Sequence, residues 1–279
     1  MFRSAWSVLL ATPTAHRKAS GGCASVGAVA FAAATLTSAA CEDKKTTAAF
    51  LVSSHSDPMK RRMEVFVKAA QANIVHALEQ AEGSSRSGVK FRRDAWKRPE
   101  GGEGISCVLQ DGKVFEKAGV MVSIVHGKLP PAAVKEMNSR GGKGIQLREG
   151  EGGDGEDNHL PFFAAGVSLI VHPVNPHVPT VHMNYRYFEV ESADGRTVAW
   201  FGGGADLTPM YLDEEDATHF HKTLKDACDK HDKDYYPKYK KDCDEYFLIK
   251  HRGETRGIGG IFFDDLATPS INETFNFIR

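Results

Sequence analysis

The sequence has no surplus of charge. Its 35 Lys and Arg face 36 Asp and Glu, leaving a net charge of -1 over 279 residues. No global field then draws a polyanion, and nucleic acid is not expected among the partners. Cysteines are few, five in all (Cys23, Cys41, Cys107, Cys228, Cys243), with no CxxC pair and no zinc spacing. That argues against a disulfide framework and a thiolate zinc site, and for buried free thiols. No apolar run reaches the ~20 residues a membrane-spanning helix needs; the mildest candidate, Val26 to Leu36, is short and rich in Ala. The glycine triplet Gly202-Gly203-Gly204 lacks the GK[ST] ending of a phosphate loop and the GxGxxG spacing of a dinucleotide site. The acidic stretch 141–159 lacks the ligand spacing of an EF-hand, so calcium is not expected there.

One further absence is local. The first 41 residues contain Arg3, Arg17 and Lys18 but no acid; the first carboxylates are Glu42 and Asp43. Basic, hydroxyl-rich and acid-free is the composition of an organelle transit peptide. The basic part precedes the mild apolar one. That order predicts a two-part mitochondrial presequence, the second part diverting the protein to the intermembrane space, with a plastid transit peptide as the alternative. Residues 1–50 are read as presequence and linker, and 51–279 as one domain. A composition of 41% hydrophobic residues gives that domain a sizeable core.

Within the domain, Ser56-Asp57-Pro58 reads as a helix start. Met59, Met63, Phe66, Ala70, Ile74, Ala77 and Leu78 follow at helical spacing, and Gly83 ends the run. Phe91 to Trp96 alternates like a strand. Asp111-Gly112 marks a hairpin between Ile105–Leu109 and Val114–Phe115, and Val120–Val125 is a further apolar run. Pro130–Met137 reads as a short helix, and 141–159 as a solvated loop. Phe162–Val171 is a continuous apolar run, as a buried strand requires. Later, acids at Asp213 to Asp216 open a helix, Tyr235-Tyr236-Pro237 breaks it, and a second begins at Lys238. Gly257–Asp265 reads as a glycine-fed strand. Ser270 caps a last helix with Ile271, Phe275 and Ile278 as its stripe. The chain stops at Arg279 inside that stripe, from which a shortened sequence is expected.

The chemistry concentrates between Gly166 and Pro209. His172, His177 and His182 recur five residues apart, followed by Asn184, Tyr185 and Arg186. Alternation over Thr180–Val190 puts His182, Asn184 and Arg186 on one strand face. A row of imidazole, amide and guanidinium is poor core chemistry and suits a polar anionic ligand, because Arg grips carboxylates bidentately. The glycine triplet lets the backbone approach a ligand or another chain closely and reads as a turn that presents Asp206, a carboxylate able to act as a base. The four imidazoles of His172, His182, His221 and His251 admit two readings. One is a metal site for oxygen chemistry; the other is acids, bases and donors around an anion. No HxD or HxE pair lies in the Gly166–Pro209 stretch, and the residues alone leave both readings open.

The segments HPVNPHVPTVHMNYRYFEVE, FGGGADLTP and HRGETRGIGGIFFDDL closely resemble the oxygen-dependent coproporphyrinogen-III oxidases of haem biosynthesis, over about Val52 to Arg279. The resemblance implies an α+β fold: a large antiparallel sheet flanked by helices on both faces, with the C-terminal part of the family fold missing from this chain. It implies oxidative decarboxylation of two propionates of coproporphyrinogen III to vinyl groups, giving protoporphyrinogen IX with carbon dioxide and peroxide. Dioxygen would be co-substrate, no organic cofactor is required, and a divalent metal is an open question. The enzyme would be a homodimer in peripheral association with the inner mitochondrial membrane. By motif, His182 resembles the family's proposed proton donor, and Asp206 its carboxylate for pyrrole protons. Arg186 joins them as a catalytic candidate. Ser168, Asn184, Tyr185 and Arg186 resemble substrate contacts, and His172, His182, His221 and His251 the metal ligands of bacterial members. In the mechanism expected, Asp206 or a neighbour takes a pyrrole N–H proton, oxygen adds to the pyrrole, and the peroxide removes a propionate β-hydrogen. Two other readings compete: a truncated, non-catalytic porphyrinogen-binding or dimer-modulating variant, and a metal-dependent oxygenase with a different substrate.

Overall fold

The computed structural model describes residues 57–84, 88–141, 143–148 and 158–279. The presequence reading, Cys23, Cys41 and most of the acidic loop lie outside these residues. The first helix, α1, runs Met59–Ser84. Three antiparallel strands follow: β1 Arg92–Lys97, β2 Gly102–Gln110 and β3 Phe115–Leu129, then helix α2 Pro131–Gly141. Three long strands come next: β4 Leu160–Pro173, β5 Thr180–Glu191 and β6 Thr197–Thr208. Helices α3 Glu214–Cys228 and α4 Tyr235–Tyr246, the small ribbon β7 Leu248–Ile249 and β8 Glu254–Thr255, strand β9 Gly259–Leu266 and helix α5 Ile271–Ile278 complete the order. The main sheet has seven strands, β1-β2-β3-β4-β5-β6-β9, each antiparallel to its neighbour. No described helix is long and apolar enough to cross a membrane.

Strand periodicity sorts the residues between two faces. Val120, Val122, Ala165, Val167, Leu169, Tyr187, Phe201, Ile261 and Phe263 share one core with Met63, Phe66 and Val67 of α1, Cys228 of α3, Tyr239 of α4 and Phe275 of α5. This is the packed face. On the opposite face the described residues close only one end. There Val134 of α2 meets Leu160, Val190 and Trp200, and Phe162, Phe188 and Trp200 stack in sequence at 5.5 and 5.0 Å. Helices therefore flank both faces, unequally.

Local chemistry sets the element ends. The Asp213 side chain accepts from the backbone N–H of Glu215 and Asp216 at the start of α3, and the Ser270 side chain accepts from that of Glu273 at the start of α5. Each satisfies amides that a helix start leaves free. Asp111, at φ 57°, and Gly112 turn β2 into β3. That hairpin is fixed from below: Glu82, fully buried at the end of α1, accepts from the amides of Lys113, Val114 and Phe115 at 3.1, 2.8 and 2.6 Å. Two expectations change. Phe115 and Val120–Val125 belong to one strand of 15 residues, β3, because Lys117 and Gly119 occupy its uncovered face and break the apolar run without ending the ladder. The helix opened at Asp213 ends at Cys228, before Tyr235-Tyr236-Pro237 is reached, and the second helix begins at Tyr235 with Pro237 in its first turn, where a missing N–H costs nothing.

Candidate active site

The uncovered face reads as three rows of directly paired residues. The first row is Val108, Gly119, Ile170, His182, Asp206 and Gly260. The second is Ser106, Met121, Ser168, Asn184, Gly204 and Phe262. The third is Gly104, Ser123, Gly166, Arg186 and Gly202. His182, Asn184 and Arg186 thus share a face, and Ser168 and Asp206 join them from the neighbouring strands. Ile170 remains 43% exposed. A face this rich in glycine lies low, and the side chains that do stand on it carry most of its chemistry.

The glycine triplet is not a turn. β6 passes through Gly202, Gly203 and Gly204 without a break and delivers Asp206 as a strand residue. The glycines answer to close approach by the protein itself. A Cβ at Gly202 would stand 2.7 Å from the Arg186 guanidinium carbon, one at Gly203 2.5 Å from the Tyr185 ring, and one at Gly204 2.4 Å from the Ile261 carbonyl. At Gly203 and Gly204 the backbone itself is met and leaves no room for a side chain, whereas at Gly202 the Arg186 and Asp264 side-chain ends occupy the space.

Asp206 is 2% exposed and has both oxygens engaged. Its Oδ1 accepts from His182 Nδ1 at 2.7 Å, and its Oδ2 from Arg256 at 2.7 Å. Burial alone would raise its pKa, but the bonds from His182 and Arg256 outweigh burial and hold the carboxyl below its ordinary value. Asp206 therefore stays ionised and accepts from His182 in its Nδ1–H tautomer. That tautomer leaves the Nε2 lone pair free on a ring whose side chain is 33% exposed. Asp206 itself is a poor base: its lone pairs are committed and its basicity is lowered. The group that can exchange a proton with a ligand is His182 Nε2. Arg256 is held in turn over the Phe247 ring at 4.0 Å.

Arg186 donates to Asn184 Oδ1 at 3.0 Å and pairs with Asp264 at 3.0 Å. Beside it, Ser123 Oγ is buried with no hydrogen-bond partner among the described residues. Tyr185 does not belong to this set. Strand alternation turns it to the packed face, 6.3 Å from Phe263, where burial pushes its phenol up to about 12. It supports the sheet from behind.

The four histidines expected as metal ligands do not converge. Among the described residues no three His, Cys, Asp or Glu side chains are grouped to hold a metal ion. His172 is exposed at the end of β4, 3.4 Å from the Thr180 hydroxyl. His182 is tied to Asp206. His221 on α3 uses both nitrogens: Nε2 donates to the Ile258 carbonyl at 3.0 Å, and Nδ1 accepts from Tyr236 Oη at 3.0 Å. His251 sits exposed in the turn between β7 and β8. The donor set does not fit a four-imidazole site, and no chemistry is routed through one. His221 instead braces the chain two residues beyond Arg256.

Two residues of the site were not singled out by the sequence reading. Arg256 lies 50 residues from Asp206, in the turn before β9, and its only signal was membership of the HRGETRG run. Asp264 was noted as one of two acids ending a strand. The acidic partner of a row of basic and amide groups was the clue that could have found it.

Residues 62–279 match the model of the family described as coproporphyrinogen III oxidase. The chain is 59% identical over 220 residues to the oxygen-dependent coproporphyrinogen-III oxidase of Drosophila melanogaster, covering 79% of this chain and 53% of that protein. It is 58% identical over 221 residues to the mitochondrial oxygen-dependent enzyme of Homo sapiens, covering 79% of this chain and 46% of that one. Against coproporphyrinogen-III oxidase 1, chloroplastic, of Arabidopsis thaliana the identity is 51% over 218 residues, covering 77% and 53%. The chain spans about half the length of the curated relatives it matches. With the family model covering all but its first 61 residues, the chain belongs to the coproporphyrinogen III oxidase family.

Proposed function

We propose that this chain oxidatively decarboxylates two propionates of coproporphyrinogen III, giving protoporphyrinogen IX. The observation that carries the reading is the pairing of a free His182 Nε2, backed by Asp206 and Arg256, with an Arg186–Asn184 anion grip two residues along the same strand face. One group handles a proton; the other holds a carboxylate. Coproporphyrinogen has four carboxylates to grip and pyrrole N–H protons to remove.

For each propionate, R-CH2-CH2-COO⁻ with O2 and one proton gives R-CH=CH2, CO2 and H2O2. Two electrons leave the side chain and reduce dioxygen to peroxide. His182 Nε2 takes the pyrrole N–H proton, and ionised Asp206 stabilises the resulting imidazolium. Dioxygen adds to the electron-rich pyrrole carbon. The peroxide oxygen removes a propionate β-hydrogen, the carboxyl carbon leaves as CO2, and the released pair forms the vinyl double bond as peroxide departs. Asp206 thus acts through His182, in place of the direct role expected from sequence. An electron-rich porphyrinogen reacts with dioxygen itself, so the reading requires no organic cofactor.

The same reading includes a homodimer, an organellar location and, more finely, the intermembrane space with peripheral contact to the inner membrane. The relatives named mitochondrial and chloroplastic support the organelle. Sedimentation and protease protection of fractionated mitochondria test these points. For the activity, the protein is incubated with coproporphyrinogen III in air and in its absence. Vinyl-bearing tricarboxylate and dicarboxylate products, formed only in air, are expected. Binding without any vinyl product overturns the catalytic reading and favours the binding variant.

A further inference from the structure

We infer that Asp264 sets how tightly this face takes a carboxylate, by holding Arg186 in a standby ion pair that an incoming carboxylate must displace. The inference rests on the porphyrinogen reading above and adds a residue that the reading does not need.

The standby pair is built by the backbone. β6 and β9 pair Phe201 with Leu266 but Gly203 with Phe263, so the register slips between them. Asp264 and Asp265 are both fitted opposite Gly202, as in a β-bulge. Asp265 takes φ 57°, and its amide donates to Asp264 Oδ1 at 3.0 Å. Lys143 clamps the bulge from outside, pairing with Asp265 while its ammonium lies 3.9 Å from the Trp200 ring centroid. The bulge aims the Asp264 carboxylate across Gly202. A Cβ there would stand 2.5 Å from Asp264 Oδ1 and 2.7 Å from Arg186 Cζ, so the two charges meet in the space that Gly202 leaves open.

The pair is also poised to exchange. Arg186 is 25% exposed and Asp264 45%, with Nη2 and Oδ2 3.0 Å apart. Water screens a pair this open, and its hold is modest. Asn184 Oδ1 keeps Nη1 at 3.0 Å as a neutral acceptor, so the guanidinium stays placed when its anionic partner changes. A substrate carboxylate can take the place of Asp264 Oδ2 at Nη2. While Asp264 holds Arg186, only the released fraction is competent to bind, and the apparent dissociation constant rises by that fraction.

The test measures binding of coproporphyrin III, the stable oxidised tetracarboxylate, to the purified full chain by fluorescence. Wild type, Asp264→Asn, Arg186→Ala and the double variant are compared. The standby pair predicts that Asp264→Asn binds about two- to five-fold tighter, the range an exposed pair of this kind supports. It also predicts that the gain vanishes in the Arg186→Ala background. A structural role for Asp264 predicts the opposite sign. Unchanged or weaker binding by a folded Asp264→Asn protein, with wild type binding normally, overturns the inference alone. No binding by wild type or any variant overturns the porphyrinogen reading, and the inference with it.

Discussion

On β5, Val181, Met183, Tyr185 and Tyr187 join the helix-covered core, while His182, Asn184 and Arg186 stand on the other side of the same strand. The two faces differ most on β6. Phe201 fills the core, and Gly202 and Gly204, one and three residues further along the strand, leave the other face low. The packed face is built to exclude water and to tolerate no vacancy. The uncovered face is built by subtraction, glycines clearing room for Arg186 to lie flat and for the strands to draw close. One alternating sequence thus codes stability in one register and chemistry in the other. A one-residue slip would exchange them.

The sharpest way to break that contrast is to change each face in turn. His182→Ala removes the imidazole that Asp206 backs on the uncovered face. It is expected to cut turnover by about 10²- to 10⁴-fold, the usual worth of a general acid–base group. Its denaturation midpoint should stay near wild type, read by urea titration beside a steady-state assay. Phe201→Ala on the packed face is expected to do the reverse. It loses ~3–5 kcal/mol of stability, as large-to-small core changes do, while each folded molecule keeps its turnover.

Two smaller effects refine the comparison. Glu82→Ala strips a buried acceptor from three amides and should cost ~2–4 kcal/mol, since charged acceptors are worth more than neutral ones. Loss of hydrogen-exchange protection should centre on residues 113–115. The pH dependence of stability comes next. Asp206 has a folded pKa below its unfolded value. Its contribution is therefore complete above the unfolded value of ~3.9 and is lost as pH falls through the folded one. The stability gap between wild type and Asp206→Asn should narrow on acidification below about pH 4, measured by urea midpoints at several pH values. The smallest effect concerns thiols. Burial pushes Cys228 up to about 11 and Cys243 up to about 12, so neither should react with a thiol reagent at pH 8 until the protein unfolds.

Much of this was legible in the sequence because strand alternation is a local signal. Thr180–Glu191 needed no partner to show that His182, Asn184 and Arg186 share a face. The same alternation set Tyr185 on the opposite side; only the family resemblance had grouped it with its neighbours as a substrate contact. The glycine triplet misled for a physical reason. Glycine permits both turns and close packing, and only the Arg186, Tyr185 and Ile261 atoms around it show which is used. Arg256 and Asp264 were beyond local reading. Each gains its meaning from a partner across the sheet, 50 residues away for Arg256 and 78 for Asp264, and nothing near Arg256 sets it apart from Arg252. The histidines illustrate the same limit. Spacing along the chain said nothing about convergence, and His221 proves to be a brace for the turn that carries Arg256.

The central claim is that Asp206 acts by orienting and charging His182 on a substrate-binding face. It is tested most directly by measuring turnover of coproporphyrinogen III and affinity for coproporphyrin III side by side in Asp206→Asn. The account predicts turnover lower by about 100-fold or more, in the range of general acid–base catalysis, with affinity within about threefold of wild type, because Arg186, Asn184 and Ser168 still hold the ligand. Near-normal turnover in that variant would contradict it.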